Sequence, residues 1–119
     1  MLTLDTHIVV ALLDGDLTER ERELVTNDSL AISDIVVWEL AKLVEVGRLG
    51  LDLEDVEFRM FLRSVTILPI TIEIARTSTE LDFESDPADE IIAATALVEQ
   101  SPLLTRDRRI LKSKIVPHA

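Results

Sequence analysis

Short apolar runs alternate along this chain with amphipathic stretches. Such runs are typical of buried strands, whereas amphipathic stretches that begin with Ser, Thr or Asp are typical of helices. The predicted strands cover residues 1–4, 30–32, 65–68 and 103–105, with a last edge strand at 115–116. The predicted helices cover residues 8–13, 18–25, 34–47, 55–61, 71–81 and 86–97, and a short helix follows residue 107. The pattern predicts one α/β domain, residues 1–119, with a central, mainly parallel sheet flanked by helices.

Composition narrows the class of protein. The chain has 119 residues, of which 47% are hydrophobic but only 3% aromatic, so we expect an aliphatic core. It has no cysteine, which excludes disulfides and thiolate metal sites, and its two histidines argue against a His-rich zinc site. No signal segment is visible at the N-terminus, and no apolar run approaches the roughly 18 residues of a membrane span. We therefore expect a cytoplasmic protein with no membrane association.

The charge distribution is uneven. The net charge is −11, which disfavours non-specific binding to nucleic acid. Acidic residues concentrate between 73 and 90, and a basic segment follows. Its members are Arg106, Arg108, Arg109, Lys112 and Lys114. This order suits a divalent cation next to a phosphate site, and a solvated acidic surface is the alternative.

Two acidic residues interrupt the apolar faces of predicted helices. Asp86 and Pro87 form a helix start, and Asp89 leads a face that continues through apolar residues. Glu39 lies among apolar neighbours at helical spacing on the third helix. Buried carboxylates are unfavourable unless they are paired or bind a cation. For Glu39, a salt bridge to an arginine or to Lys42 remains the alternative.

Two further acidic residues follow predicted strands. Asp5 comes after the first strand and Asp107 after the fourth, where α/β domains form their sites, although each residue taken singly is better explained as the cap of the next helix. Together with Glu39 and Asp89 they form a set of carboxylates that cannot share a small volume in ionised form without a cation. Oxygen ligands suit Mg²⁺ or Mn²⁺, which can activate water against a phosphodiester.

Four segments resemble, in order, the motifs of PIN-domain proteins, and most closely the VapC-type toxins. They are Leu4-Asp5-Thr6-His7, Val37-Trp38-Glu39-Leu40-Ala41, Asp86-Pro87-Ala88-Asp89 with the Ile-Ile-Ala-Ala-Thr-Ala helix, and Leu104-Thr105-Arg106-Asp107. The resemblance covers nearly the whole chain. It implies a three-layer fold and a Mg²⁺- or Mn²⁺-dependent endoribonuclease that hydrolyses RNA with a metal-activated water. It also implies a homodimer that a cognate antitoxin holds inactive.

The resemblance also implies roles for single residues. Asp5 and Asp89 would be the main metal ligands, Glu39 would bind the metal directly or through water, and Asp107 would complete the site. Three further polar residues would hold these ligands in position without binding the metal themselves. They are Thr6, Asp86 and Thr105, of which Thr6 and Asp86 are also candidate helix caps.

Other residues near the motifs have simpler interpretations. Many relatives carry a basic residue directly after the third acid, where this chain has Glu90, which would add a carboxylate near the site. We interpret His7 as a structural or surface residue and Trp38 as a core residue. The arginines at 106, 108 and 109 either contact phosphate or form a solvated face.

Two other functions fit a domain of this class. One is a catalytically silent PIN-like module that binds a protein partner. The other is a receiver-like signalling domain, which needs an acidic pair after strand one and an Asp after strand three. This chain has only Asp5 at the first place and Leu68-Pro69 at the second, which disfavours a receiver.

Overall fold

A four-stranded parallel sheet forms the centre of the molecule. The computed structural model describes residues 1–50 and 52–119. The strands are β1 (Leu2–Leu4), β2 (Leu30–Ser33), β3 (Thr66–Leu68) and β4 (Leu103–Leu104), in the order β3-β2-β1-β4. Thr3 pairs with Ala31 on one side and with Leu103 on the other, and every strand pairing is parallel. The predicted α/β class and parallel sheet are confirmed.

Helices connect the strands and flank the sheet. In the described ranges they are α1 (Thr6–Asp14), α2 (Glu19–Thr26), α3 (Asp34–Glu45), α4 (Val56–Ser64), α5 (Ile72–Ser78), α6 (Pro87–Glu99) and α7 (Arg108–Leu111). None of these helices is long and apolar enough to cross a membrane.

Local sequence signals explain where several helices begin and end. The Thr18 hydroxyl accepts a hydrogen bond from the Glu21 N–H, and the Glu21 carboxylate accepts one from the Thr18 N–H, so the two residues form a capping box. Helix α1 ends at Gly15, whose φ of 76° lies in the left-handed region that glycine adopts without strain. Ser33 and Thr71 cap α3 and α5 with their hydroxyls.

The structure corrects two predicted elements. Helix α5 ends at Ser78, short of residue 81, because the Ser78 and Thr79 hydroxyls bond carbonyls one turn back. The predicted edge strand at 115–116 is wrong. The Ser113 hydroxyl accepts hydrogen bonds from both of those backbone N–H groups, so they form a turn and do not pair with the sheet. Beside β4, Leu103 instead makes a parallel bridge with His118.

Helix α6 is the most buried helix of the fold. Ile92, Ala93, Ala94 and Ala96 have 0% exposed surface, and the helix packs against α5, α3 and β2. Small side chains let these elements approach closely, which fixes the position of the first turn of α6.

Trp38 is not a core residue as predicted. Its side chain is 54% exposed, and the Lys42 ammonium lies 5.6 Å from the centre of its ring. Val36 and Leu40 form the buried face of α3, and a residue midway between them points the opposite way.

Candidate metal centre

The strand order creates a crevice at the carboxyl ends of β1 and β4. After β1 the chain adds β2 and β3 on one side of the sheet and then β4 on the other. Such a switch in direction leaves an opening between the two strands where it occurs. Asp5 follows β1, and its N–H donates to the Leu104 carbonyl at 3.1 Å. The residues after both strands therefore lie side by side.

Asp5 is both a helix cap and a residue of the crevice. It is only 2% exposed, and its Oδ1 accepts a hydrogen bond from the Thr6 N–H at 2.8 Å. Its Oδ2 accepts one from the Thr105 hydroxyl at 2.6 Å. These two bonds fix the carboxylate plane, and each oxygen keeps a further lone pair for a cation.

Glu39 reaches toward the same crevice from α3. Its carboxylate is half-buried and accepts a hydrogen bond from the Thr6 hydroxyl at 2.5 Å. Burial raises the pKa of Glu39, the Thr6 bond partly opposes that shift, and the charges of Asp89 and Asp5 raise the pKa further. Within the described ranges Glu39 joins no ion pair, and Lys42 pairs with Glu45 at 3.8 Å.

Asp89 lies in the first turn of α6. It is half-buried, and the Ser85 hydroxyl donates to its Oδ2 at 3.0 Å. Burial is the main cause that raises the pKa of Asp89, and the negative charges of Asp5 and Asp107 add to it. The charge of Asp5 thus raises the pKa of both Glu39 and Asp89, although the three residues come from different elements of the fold.

Asp107 caps α7, as its position after β4 allows. Its Oδ1 accepts hydrogen bonds from the Arg109 N–H at 2.8 Å and the Ile110 N–H at 3.2 Å. Its own N–H donates to the Thr105 hydroxyl at 3.0 Å. Thr105 therefore connects Asp107 to Asp5 through one side chain.

Asp86 differs from its predicted behaviour, and Glu90 lies near the site. Asp86 occupies the cap position of α6, but its side chain makes no capping hydrogen bond and instead lines a cleft beside Asp89. The Glu90 carboxylate turns back and accepts a hydrogen bond from the Ser85 N–H at 3.4 Å. Glu90 is not among the residues that line that cleft, but it contacts Ser85, which is.

The open cleft has a volume of about 450 Å³. Both acidic and basic side chains line it. It is lined by Ser85, Asp86, Asp89, Asp107, Arg108 and Arg109.

The donor set fits a hard divalent cation by its chemistry. The side chains around the crevice offer carboxylate and hydroxyl oxygens, which Mg²⁺ and Mn²⁺ prefer. As placed, no group of three or more His, Cys, Asp or Glu side chains in residues 1–50 and 52–119 is arranged to hold an ion. Burial is the main cause that raises the pKa values of Glu39 and Asp89, neighbouring carboxylates add to it, and a bound cation would stabilise the ionised form of both groups.

Sequence reasoning missed two contacts that hold the segment after β4. His7 Nε2 accepts a hydrogen bond from the Arg106 N–H at 2.7 Å, so the ring proton lies on Nδ1, 3.6 Å from Asp5 Oδ2. The Arg106 guanidinium donates to both oxygens of the buried Glu21, at 2.6 and 2.8 Å, and lowers the pKa of Glu21 to about 2. The chain offers no local signal for either contact, because the partners are 99 and 85 residues apart.

Ser85 was missed as well, although its position one residue before the α6 cap was a usable signal. A hydroxyl at that place can reach an acidic residue in the first turn of the helix.

A relative of known name and several solved structures match this chain. Ribonuclease VapC22 of Mycobacterium tuberculosis is 36% identical over 86 residues, which span 70% of this chain and 66% of that protein. The VapBC2 structure from Rickettsia felis, bound to a promoter DNA fragment, has a TM-score of 0.74 at 19% identity and covers 99% of this chain and 96% of its own. A toxin–antitoxin complex from Klebsiella pneumoniae has a TM-score of 0.72 at 23% identity, with coverages of 94% and 91%.

The family assignment rests on a match to a family model. At their low identity the two structures establish the fold alone. The model described as the PIN domain matches residues 2–115, which is most of the chain. The resemblance that the four motifs indicated is thereby confirmed. This chain belongs to the PIN domain family.

Proposed function

We propose that this chain is a Mg²⁺- or Mn²⁺-dependent endoribonuclease, and the toxin of a type II toxin–antitoxin pair. The observation that carries the proposal is the presence of two half-buried carboxylates, Glu39 and Asp89, whose pKa values rise mainly through burial and further through neighbouring carboxylates. A domain that only binds a protein has no need to bury repelling carboxylates. The name of the M. tuberculosis relative, a ribonuclease, supports the same activity.

Asp5 and Asp89 would be the main metal ligands, with Glu39 and Asp107 completing the site. When bound, the divalent ion supplies Lewis acidity and neutralises charge during attack of water on a phosphodiester. Thr105 orients Asp5, and Thr6 fixes Oε1 of Glu39, which leaves Oε2 to position the attacking water. Ser85 holds Asp89 in the same way.

We further propose that residues 1–119 act as one domain, as a homodimer that a cognate antitoxin holds inactive. Among the structures of similar fold, the one from K. pneumoniae is described as a toxin–antitoxin complex, and this supports an antitoxin partner. An antitoxin that inhibits such a nuclease would have to deny RNA access to the crevice.

The first experiment is cleavage of a mixed RNA pool by the purified protein with Mn²⁺ or Mg²⁺. We expect cleavage that EDTA stops and that Asp89→Asn abolishes without loss of fold, because the amide removes a charge the metal needs. Asp14→Asn is the matched control, since Asp14 is exposed at the end of α1 and makes the same change of charge away from the crevice.

Two outcomes would count against the proposal. Full activity of Asp89→Asn would show that the assignment of ligands is wrong. Absence of cleavage with either metal, together with tight binding of a protein partner, would favour the catalytically silent module.

A further inference from the structure

Three arginines follow β4, and the structure separates one from the other two. The Arg106 guanidinium bonds both oxygens of Glu21, and its Nη2 also donates to the Asp16 carbonyl at 3.2 Å. Its donors are directed toward α2 and away from the cleft. Arg106 is therefore a structural residue that holds the segment after β4.

Arg108 and Arg109 are exposed and line the cleft that Asp86, Asp89 and Asp107 also line. Within residues 1–50 and 52–119, neither guanidinium forms an ion pair or a side-chain hydrogen bond. Cations close to several carboxylates ordinarily pair with them. These two side chains instead leave their hydrogen-bond donors available at the rim of an acidic site.

The backbone that carries these side chains is well fixed. Asp107 Oδ1 accepts the Arg109 N–H at 2.8 Å, and Asp107 is itself tied to Thr105. Because the bonds use backbone donors of Arg109, they leave its guanidinium unengaged. The backbone that carries the two arginines is therefore fixed relative to Asp107.

We infer that Arg108 and Arg109 bind backbone phosphates of an RNA strand whose scissile phosphodiester lies at the carboxylates. The inference rests on the proposed nuclease function. A chain of net charge −11 repels RNA, and a metal ion neutralises charge only at the cleavage point. Neighbouring phosphates need cations of their own, and the planar guanidinium binds phosphate with two parallel hydrogen bonds.

The test compares the parent with Arg108→Ala/Arg109→Ala. The control is Arg48→Ala/Arg63→Ala, which removes the same charge at exposed positions outside the cleft. Binding of a short single-stranded RNA is measured by fluorescence anisotropy in EDTA over a series of salt concentrations. Cleavage kinetics are measured with Mn²⁺, and circular dichroism checks the fold.

We expect the cleft variant to bind RNA at least roughly tenfold more weakly than the control, since charge-assisted hydrogen bonds to phosphate are lost. The slope of log affinity against log salt should fall by about 1.4, at about 0.7 for each phosphate contact with a single strand. KM should rise while kcat changes little, because these contacts form equally in the ground state and the transition state. Arg108→Lys/Arg109→Lys should recover part of the affinity.

Two outcomes would overturn the inference, and they differ in what else they affect. If the parent cleaves RNA and the cleft variant matches the control in affinity, salt slope and KM, the arginines do not bind phosphate and the nuclease proposal stands. If the parent neither binds nor cleaves RNA, both proposals fail together.

Discussion

Glu21 and Arg106 show how one ion pair, made by a buried carboxylate and an exposed guanidinium, supports a site that it does not touch. Arg106 carries the backbone between Thr105 and Asp107, and its guanidinium is fixed by the Glu21 carboxylate. The same Glu21 closes the capping box of α2. A single side chain therefore joins α2 to the segment that carries two residues of the crevice.

At the scale of single residues, we predict that Glu21→Gln destabilises the protein by roughly 1–2 kcal/mol at neutral pH, because the charge-assisted hydrogen bond from Arg106 then has a neutral acceptor. The folded-state pKa of Glu21 is lowered from 4.5 to about 2, so its stabilising effect is complete above the unfolded pKa. The effect is lost as the pH falls from about 4.5 toward 2. Urea denaturation at several pH values measures the difference between parent and variant.

The control is Glu54→Gln, which breaks an exposed ion pair with Arg59 and should have a much smaller effect. A difference between parent and Glu21→Gln that is the same at pH 7 and near pH 3 would contradict the assignment of the stabilisation to the ionised carboxylate.

At the scale of elements, helices with a clear cap were predicted well from the sequence. Thr18, Ser33 and Thr71 each begin a helix where the local pattern says so. The errors occurred where a side chain competes for backbone groups, as Ser113 does at 115–116. The prediction that Trp38 is a core residue was wrong for another reason. It followed from the apolar side chain, whereas the position of Trp38 between the buried Val36 and Leu40 directs that side chain to the exposed face of α3.

The packing of α6 gives a prediction of its own. Ala93 is fully buried between neighbouring elements, so Ala93→Leu should destabilise the protein by roughly 1–3 kcal/mol through overpacking. Ala75→Leu, on the exposed side of α5, adds the same atoms without crowding and should leave stability nearly unchanged. The urea midpoints of the two variants test this. Equal midpoints would mean that α6 has room that the structure does not show.

At the scale of the whole molecule, the acidic set was predictable because the buried carboxylates break the apolar pattern. Glu39 and Asp89 stand out in sequence for that reason, and the structure finds both half-buried. The residues that hold the set together were not predictable. His7 and Arg106, or Asp5 and Thr105, meet only because β1 and β4 are neighbours in the sheet.

The excess of negative charge predicts a response to metal ions. Mn²⁺ at about a hundred times its dissociation constant should add about 2.7 kcal/mol to the free energy of unfolding, by binding the folded state alone. Asp5→Asn should lose most of the rise in melting temperature, and Asp14→Asn should keep it. Thermal melts in NaCl of matched ionic strength separate binding from simple screening. If NaCl raised the melting temperature as much as Mn²⁺ does, that result would contradict a specific metal site.

The hydrogen bond between Thr105 and Asp5 joins residues 100 positions apart. A ribosome makes Asp5 early and Thr105 much later, and β4 must then dock beside β1 before the carboxylates acquire their final geometry. Contacts of such long sequence separation are slow to form during folding. A growing chain therefore carries Asp5 and Glu39 for most of its synthesis, and Asp89 near the end of it, without the arrangement that would make them a nuclease.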